Sequence, residues 1–254
     1  VQYRTLWGKS VPDNQLRHVA IIMDGNNRWA KQRGLAGVAG HKVGVERIRD
    51  AMTAAEEIGI DVLTVFAFSS ENWNRPPLEV EALMSLFQLY LKNEAKALKK
   101  KGVRLRVIGN RTRFSKGIQR AIIDAEELTK DGRFTLVIAA DYGGRWDIVE
   151  AAKKLALEVV EGRINAEDVT EDVLDKYTSL ADLPPLDLLI RTGGEVRISN
   201  FLLWQSAYAE FFFSDKLWPD FDGAELKRAA AAFHDRQRRF GLTGDQIEAG
   251  VSHA

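Results

Sequence analysis

Asp24 is the carboxylate with the strongest claim to chemistry. It follows an apolar run, residues 18–23, and leads into Gly25, Asn26, Asn27 and Arg28. Such a run reads as a buried strand. An acid passed from its end into a glycine turn is how an open α/β sheet presents reactive groups at its carboxyl edge. An acid beside an arginine suits a metal-bound or cation-bound phosphate ester better than a covalent nucleophile. Taken alone, Asp24 could equally cap the following helix.

Four further apolar segments end in the same way. Residues 62–68 lead to Ser69, Asn72 and Arg75, and residues 103–108 to Asn110 and Arg113. Residues 134–139 lead to Asp141 and Arg145, and residues 186–190 to Arg191, Glu195, Arg197 and Ser199. In a parallel sheet all these ends lie on one edge, so they would ring a single mouth. Arginine forks and hydroxyls suit the paired oxygens of a diphosphate. A divalent ion on phosphate needs only one or two hard protein oxygens, because phosphate and water complete its shell. One Asp plus one Glu meets that need. The turns at Gly143-Gly144 and Gly193-Gly194 could add backbone donors. His41, beside a glycine-rich stretch, is the histidine expected at this mouth. Plainer roles stand beside these: His41 as a helix-terminal polar group, Arg75 as a partner of Glu71 or Glu79, Arg197 and Ser199 as ordinary turn residues.

Composition removes several classes. The 254 residues suffice for one large domain. Lys plus Arg and Asp plus Glu both total 36, so the charge balance gives no overall support for nucleic-acid binding. The absence of cysteine rules out a disulfide framework, a thiolate metal site and a cysteine nucleophile. It fits a reducing, cytoplasmic setting. No apolar stretch reaches the roughly 18 residues of a helical membrane span, and the amino terminus lacks a signal-peptide pattern. Any membrane contact would be peripheral. There is no GxxxxGKS or GxxxxGKT loop, and the first strand lacks a GxGxxG turn. Without a GxSxG elbow, and with four histidines, hydrolase triads are poorly supported.

The elements that must position these groups follow from periodicity. Val45, Ile48, Met52, Ala55 and Ile58 share one face of a helix over 41–58, stopped by Gly59. Gly34, Gly37 and Gly40 predict a mobile loop over 31–40, placed to act as a lid. Further helices are expected over 78–98 (after Pro76-Pro77), 115–129, 146–161, 167–177 and 224–240. Residues 211–213 read as a last strand or a subunit contact. The alternation predicts an α/β fold: a single domain with a central, mostly parallel sheet flanked by helices, and not of Rossmann type. Its expected limits are 18–240, with a polar segment over 1–17 and a tail over 241–254. Helix 78–98 and strands two and four carry more apolar bulk than a small polar substrate requires. Core packing accounts for much of it. A diphosphate mouth above a hydrophobic cleft would nonetheless suit a prenyl diphosphate.

Five segments, in order, resemble the cis-prenyltransferases. They are Met23 to Ala30, Gly40-His41, Phe66 to Pro76, Ala139 to Trp146, and Arg191 onward through Ser199 to Glu210. The resemblance covers about residues 15 to 240. It implies a homodimer, a hydrophobic tunnel opening at the carboxyl edge, and repeated cis addition of isopentenyl diphosphate to farnesyl diphosphate, making a carrier-lipid diphosphate. The alternative it leaves is a non-catalytic subunit supporting an active partner.

By the same resemblance, Asp24 is the Mg2+ and diphosphate aspartate, and Asn26, Arg28 and His41 surround the allylic diphosphate. Ser69, Asn72 and Arg75 belong to a loop that closes over and aligns the reactants. Arg191, Arg197 and Ser199 clamp isopentenyl diphosphate. Glu210 helps place the metal and comes close to the partner subunit's site. Gly25, Trp29, Ser70 and Trp73, in the same motifs, count among the substrate-binding residues. Ala67 and Leu136 match tunnel positions that influence product length. The chain departs from the family pattern at Asn27 (usually Gly), Asp141 (usually Asn), Val196 (commonly His) and near Gly37, where an arginine is common. Arg33, from the same glycine-rich stretch, would compensate for that arginine. The resemblance also implies a cytoplasmic enzyme that meets the inner face of the plasma membrane peripherally as product leaves.

Overall fold

Six apolar segments form one parallel sheet, and the reactive residues follow the carboxyl ends of its inner strands. The computed structural model describes residues 2–4, 10–12 and 15–236. Two short strands, β1 (Gln2–Arg4) and β2 (Ser10–Pro12), pair antiparallel in a sheet of their own. The main strands are β3 (His18–Ile22), β4 (Val62–Ser69), β5 (Val103–Ile108), β6 (Phe134–Tyr142), β7 (Leu188–Arg191) and β8 (Glu210–Phe213). They lie in the order β5-β6-β4-β3-β7-β8, every neighbouring pair parallel.

Both faces of the sheet are covered. Val19 and Ile21 join one buried apolar cluster, while Ala20 and Ile22 join another on the opposite side. Successive side chains of a strand point to opposite faces, so a strand covered on both is apolar at most positions. All five residues of β3 and all nine of β6 are buried.

The helices are α1 (Asn26–Gln32), α2 (Gly37–Glu57), α3 (Pro77–Lys100), α4 (Lys116–Thr129), α5 (Gly144–Val160), α6 (Glu171–Asp175) and α7 (Gly223–His234). The start of α3 has a proline in its first turn, where no intrahelical N–H is needed, and its last turn carries Lys99 and Lys100 at the negative end of the helix dipole. Ser115 Oγ accepts from the Ile118 N–H at 3.3 Å to cap α4, and Asp222 accepts from the Glu225 N–H at 3.0 Å to cap α7. Among the described residues no helix is long and apolar enough to cross a membrane.

Three expectations need correction. The glycine-rich stretch is mainly helical: α1 ends at Gln32 and α2 begins at Gly37, leaving only residues 33–36 between them. Gly40 is there for packing, since a Cβ at this position would collide with the Asn26 carbonyl. The expected helix over 167–177 is a 3-10 turn, Ala166–Asp168, followed by the single short turn of α6. The last helix ends at His234, and residues 237–240 of its expected range lie outside the described residues, as does the tail over 241–254.

Candidate active site

The carboxyl edge of the sheet opens onto a cavity of about 600 Å³. Asp24, Asn26, His41, Ser69, Asn72, Arg75, Arg191 and Ser199 all line it, together with Ala67. Residues separated by up to 175 positions thus share one wall. The cause is the parallel register: Ile22 pairs with Phe66 on one side and with Arg191 on the other. Strands β3 and β7 end level with one another, β4 runs three residues further to Ser69, and the loops that follow all three line the one cavity.

Asp24 and Arg191 form the centre. Arg191 Nη2 donates to Asp24 Oδ2 at 2.8 Å, while its Nη1 donates to Ser199 Oγ at 2.8 Å and to the Arg197 carbonyl at 2.6 Å. Arg28 Nη2 lies 3.3 Å from Asp24 Oδ1, and its Nη1 donates to the Gly193 carbonyl at 2.8 Å. Thr192 Oγ1 fixes the backbone of this corner: it accepts from the Asp24 N–H at 2.9 Å and lies 2.7 Å from the Asp24 carbonyl. The Asp24 side chain remains 29% exposed, so one carboxylate faces the mouth with two guanidinium groups behind it. Gly25 permits the turn that follows. Its φ is +107°, and a Cβ there would come 2.8 Å from Leu217 Cδ2.

The loop after β4 begins at an irregularity. The register shifts between Phe66 and Phe68, turning Ala67 outward into the cavity. The Ser69 N–H donates to Asn72 Oδ1 at 3.0 Å, which folds residues 70–74 into a 3-10 turn. Arg75 enters the cavity and pairs with Glu79 at 3.1 Å. His41 stands beside them with Nε2 buried and unpartnered. Burial, the Arg75 charge and a smaller opposing effect of Glu79 bring its pKa down to about 4, so the imidazole is neutral at pH 7.

Other expected residues lie around this centre rather than in it. Trp29 Nε1 donates to Asp220 Oδ1 at 2.7 Å, and Arg33 stacks on the Trp29 ring at 4.1 Å while reaching Asp220 at 3.4 Å. Arg33 therefore does not replace an arginine at the cavity. Ser70 packs on Gly143, where a Cβ would fall 2.7 Å from its Oγ. Trp73 packs edge-on against Phe68 with centroids 5.1 Å apart and carries the Arg113 guanidinium at 4.7 Å. The Arg197 side chain is exposed and pairs with Glu195 at 2.5 Å; only its backbone carbonyl touches Arg191.

Leu136 is fully buried but does not line the cavity. Ile138 and Ala140, nearer the mouth on the same face of β6, do. Glu210 begins β8, opposite Leu188, at the far end of the sheet from the mouth. It pairs with Arg236 at 2.8 Å. Within one chain it cannot meet Asp24.

Two residues of the site escape a reading by residue type. Asn200 Nδ2 donates to Glu71 Oε1 at 2.8 Å, its Oδ1 accepts from the Arg145 N–H at 2.9 Å, and its carbonyl accepts from the Gly144 N–H at 2.6 Å. It thereby ties the loop after β7 to the loops after β4 and β6. Burial raises the Glu71 carboxyl, but hydrogen bonds from Asn200 and from its own turn outweigh that and hold it below the usual range. Of the five described non-glycine residues with positive φ, Ser199, Asn200 and Leu202 belong to the loop after β7, and Asp141 is at the carboxyl end of β6. Backbone strain is concentrated where function would be.

Residues 22–241 match the prenyltransferase family described as "Putative undecaprenyl diphosphate synthase". The chain belongs to this prenyltransferase family. A Pseudomonas putida relative named ditrans,polycis-undecaprenyl-diphosphate synthase ((2E,6E)-farnesyl-diphosphate specific) is 55% identical to this prenyltransferase over 243 residues, 95% of this chain and 97% of the relative. A Pseudomonas aeruginosa protein of the same name is 56% identical over 92% of this chain and 93% of its own length. The crystal structure of lavandulyl diphosphate synthase from Lavandula x intermedia with dimethylallyl diphosphate has a TM-score of 0.85 at 38% identity, covering 90% of this chain and 99% of the other. That of "a probable undecaprenyl diphosphate synthase" from Campylobacter jejuni gives 0.74 at 35% identity, covering 89% and 99%. The prenyltransferase class that the five motifs resemble is thus the class of its relatives.

Proposed function

We propose that the protein is a ditrans,polycis-undecaprenyl diphosphate synthase, adding isopentenyl diphosphate units in cis to (2E,6E)-farnesyl diphosphate and releasing diphosphate at each step. The observation that carries this is the join between the Asp24–Arg191–Ser199 cluster and an apolar cavity wall of Ile48, Leu83, Phe87 and Ile138. A diphosphate head and a prenyl tail need such a pair of surfaces side by side. Identity of 55% over 95% of this chain and 97% of a synthase of that name supports the same substrates.

Among the described residues no three His, Asp or Glu side chains cluster as a metal site. One carboxylate at a phosphate mouth nevertheless fits Mg2+, which keeps water and substrate phosphates as most of its ligands. Asp24 would hold the ion, and when bound the ion neutralises charge on the departing diphosphate. Arg28 and Arg75 offer further cationic stabilisation of that group, and neutral His41 can hydrogen-bond it through Nε2. Ser199, oriented by Arg191, and Arg197, once released from Glu195, hold the isopentenyl diphosphate. The allylic carbon–oxygen bond breaks with its electron pair leaving on diphosphate, and the isopentenyl double bond bonds to that carbon. The proton lost from the isopentenyl unit passes to a diphosphate oxygen, directly or by way of Asp24, Ser69 or Asn72 at the mouth. The apolar wall excludes water from the cation-like centre.

A homodimer belongs to this reading. Glu210 lies at the end of the sheet away from its own mouth, so a second copy would be what brings it toward one, and β8 is one of the two edge strands, with Phe213 exposed on it and Tyr208 exposed just before it. So does product release at the inner face of the plasma membrane by a cytoplasmic enzyme.

The test is incubation with farnesyl diphosphate, radiolabelled isopentenyl diphosphate, Mg2+ and mild detergent, followed by resolution of chain lengths. A metal-dependent product of undecaprenyl length is expected. Absence of condensation by the folded protein, alongside an active control, would overturn the proposal in favour of a non-catalytic subunit.

A further inference from the structure

Helices α1, α2 and α3 all begin beside the mouth, and residues from their starts touch one another. Asn27, in the first turn of α1, donates from Nδ2 to Glu79 Oε1 at 3.2 Å. Arg75, just before α3, donates from Nη1 to the same oxygen at 3.1 Å. Glu79 itself sits in the first turn of α3. Among the described residues, that bond is the one hydrogen bond of the Arg75 guanidinium. Arg75 thus lines the cavity with the donors of Nη2 and Nε unspent.

The place of Asn27 depends on Gly37. A Cβ at residue 37 would fall 2.6 Å from Asn27 Oδ1 and 3.3 Å from its Cγ. Gly37 is not among the glycines with positive φ, and it opens a helix, where alanine is the better helix former. What glycine provides here is room for the Asn27 carboxamide. Asn27 and Gly37 are two of the positions at which the chain departs from the family pattern, and the structure brings them into contact.

We infer that Asn27 is a positioning residue for Arg75. It holds the Glu79 carboxylate at the rim, so that Arg75 is tethered through one nitrogen and keeps the rest of its fork for an entering diphosphate. The inference rests on the prenyl-transfer reading above. A guanidinium and a carboxylate favour a two-bond fork. Without Asn27, both Glu79 oxygens are open to Arg75, and the cation is neutralised before substrate arrives. Asn27 is exposed and carries no charge, so its effect passes through Glu79 rather than through the core.

The experiment measures kcat/KM for farnesyl diphosphate in Asn27→Ala, in Glu79→Gln and in the double variant, with melting temperatures alongside. Asn27→Ala is expected to lose about fivefold, the weight of one net hydrogen bond, at an unchanged melting temperature. In the Glu79→Gln background, where no carboxylate captures Arg75, Asn27→Ala is expected to cost nothing further. Gly37→Ala, which drives the Asn27 carboxamide from Glu79, is expected to repeat the loss and to add nothing to Asn27→Ala. Wild-type kcat/KM in Asn27→Ala, or an equal loss with and without the Glu79 carboxylate, overturns the assignment. Wild-type kcat/KM in Gly37→Ala overturns the dependence on Gly37. If the wild-type protein makes no product, the prenyl-transfer reading fails, and the same variants are titrated calorimetrically with inorganic diphosphate. Weaker binding in Asn27→Ala that is absent in the Glu79→Gln background supports the positioning of Arg75; equal binding, or none by the wild type, overturns it.

Discussion

Arg191 donates to the Asp24 carboxylate at 2.8 Å, with the arginine side chain 6% exposed and the aspartate 29% exposed. The pair is lopsided: a nearly buried cation depends on a carboxylate that also faces the mouth. Removing one member of such a pair leaves the other uncompensated.

The two substitutions at Asp24 should therefore differ. Asp24→Asn keeps an oxygen that Arg191 can donate to but loses the charge. Turnover should fall on the order of a hundredfold, the typical effect of losing about 3 kcal/mol of transition-state stabilisation. Its Tm should fall less than that of Asp24→Ala, which also strands Arg191. Steady-state kinetics and thermal melts on both variants check this; equal melts with equal loss of turnover would remove the distinction.

His41 predicts a pH dependence of stability. Its folded pKa of about 4 lies below the ordinary 6.5, so the unfolded chain binds the extra proton between those values. Stability is then fully present above pH 6.5 and is lost as pH falls toward 4, by up to about 3 kcal/mol for a shift of this size. Buried His18, lowered chiefly by burial, acts in the same direction. Melting curves from pH 7 to pH 4 should show a smaller decline for His41→Gln than for wild type.

Asn200 should act as a positioning residue. Its bond to Glu71 joins two loops of the mouth, and Asn200→Ala should cost about 1 kcal/mol, or roughly fivefold, in kcat/KM. A cycle with Glu71→Gln provides the check. If the bond matters, the double variant should lose less than the sum of the two single losses.

Asp141 is nearly fully buried, has a φ of +49°, and neither carboxylate oxygen has a hydrogen-bond partner. Burial raises its pKa, against the opposing pull of Trp73 and of Arg113 at 3.5 Å. Stability from a group shifted this way is present at low pH and lost as pH rises through the folded value. Asp141→Asn tolerates the same backbone and carries no charge to desolvate. It should raise the Tm at pH 7, and the gain should shrink as pH is lowered toward 4.

Much of this was legible before any coordinates. Strand alternation and unbroken apolar runs specify a doubly covered parallel sheet, because only strands buried on both faces need apolar residues at most positions. An acid, an arginine and a glycine after such runs place chemistry at one edge, and this holds for Asp24, Ser69, Asn72, Arg75, Arg191 and Ser199. Residue type could not say which way a side chain turns within a loop. Trp29, Arg33 and Arg197 sit in the right segments but find partners outward, in Asp220 and Glu195. Nor could glycine spacing separate a mobile loop from close helix packing, which is what Gly40 against Asn26 turns out to be. The same holds for depth. Tyr90 shares a helical face with Leu83 and Phe87, at spacings of seven and three. Only the tertiary structure shows that the cavity reaches Tyr90 and stops short of Leu136, because depth depends on how α2 and α3 lie over the sheet.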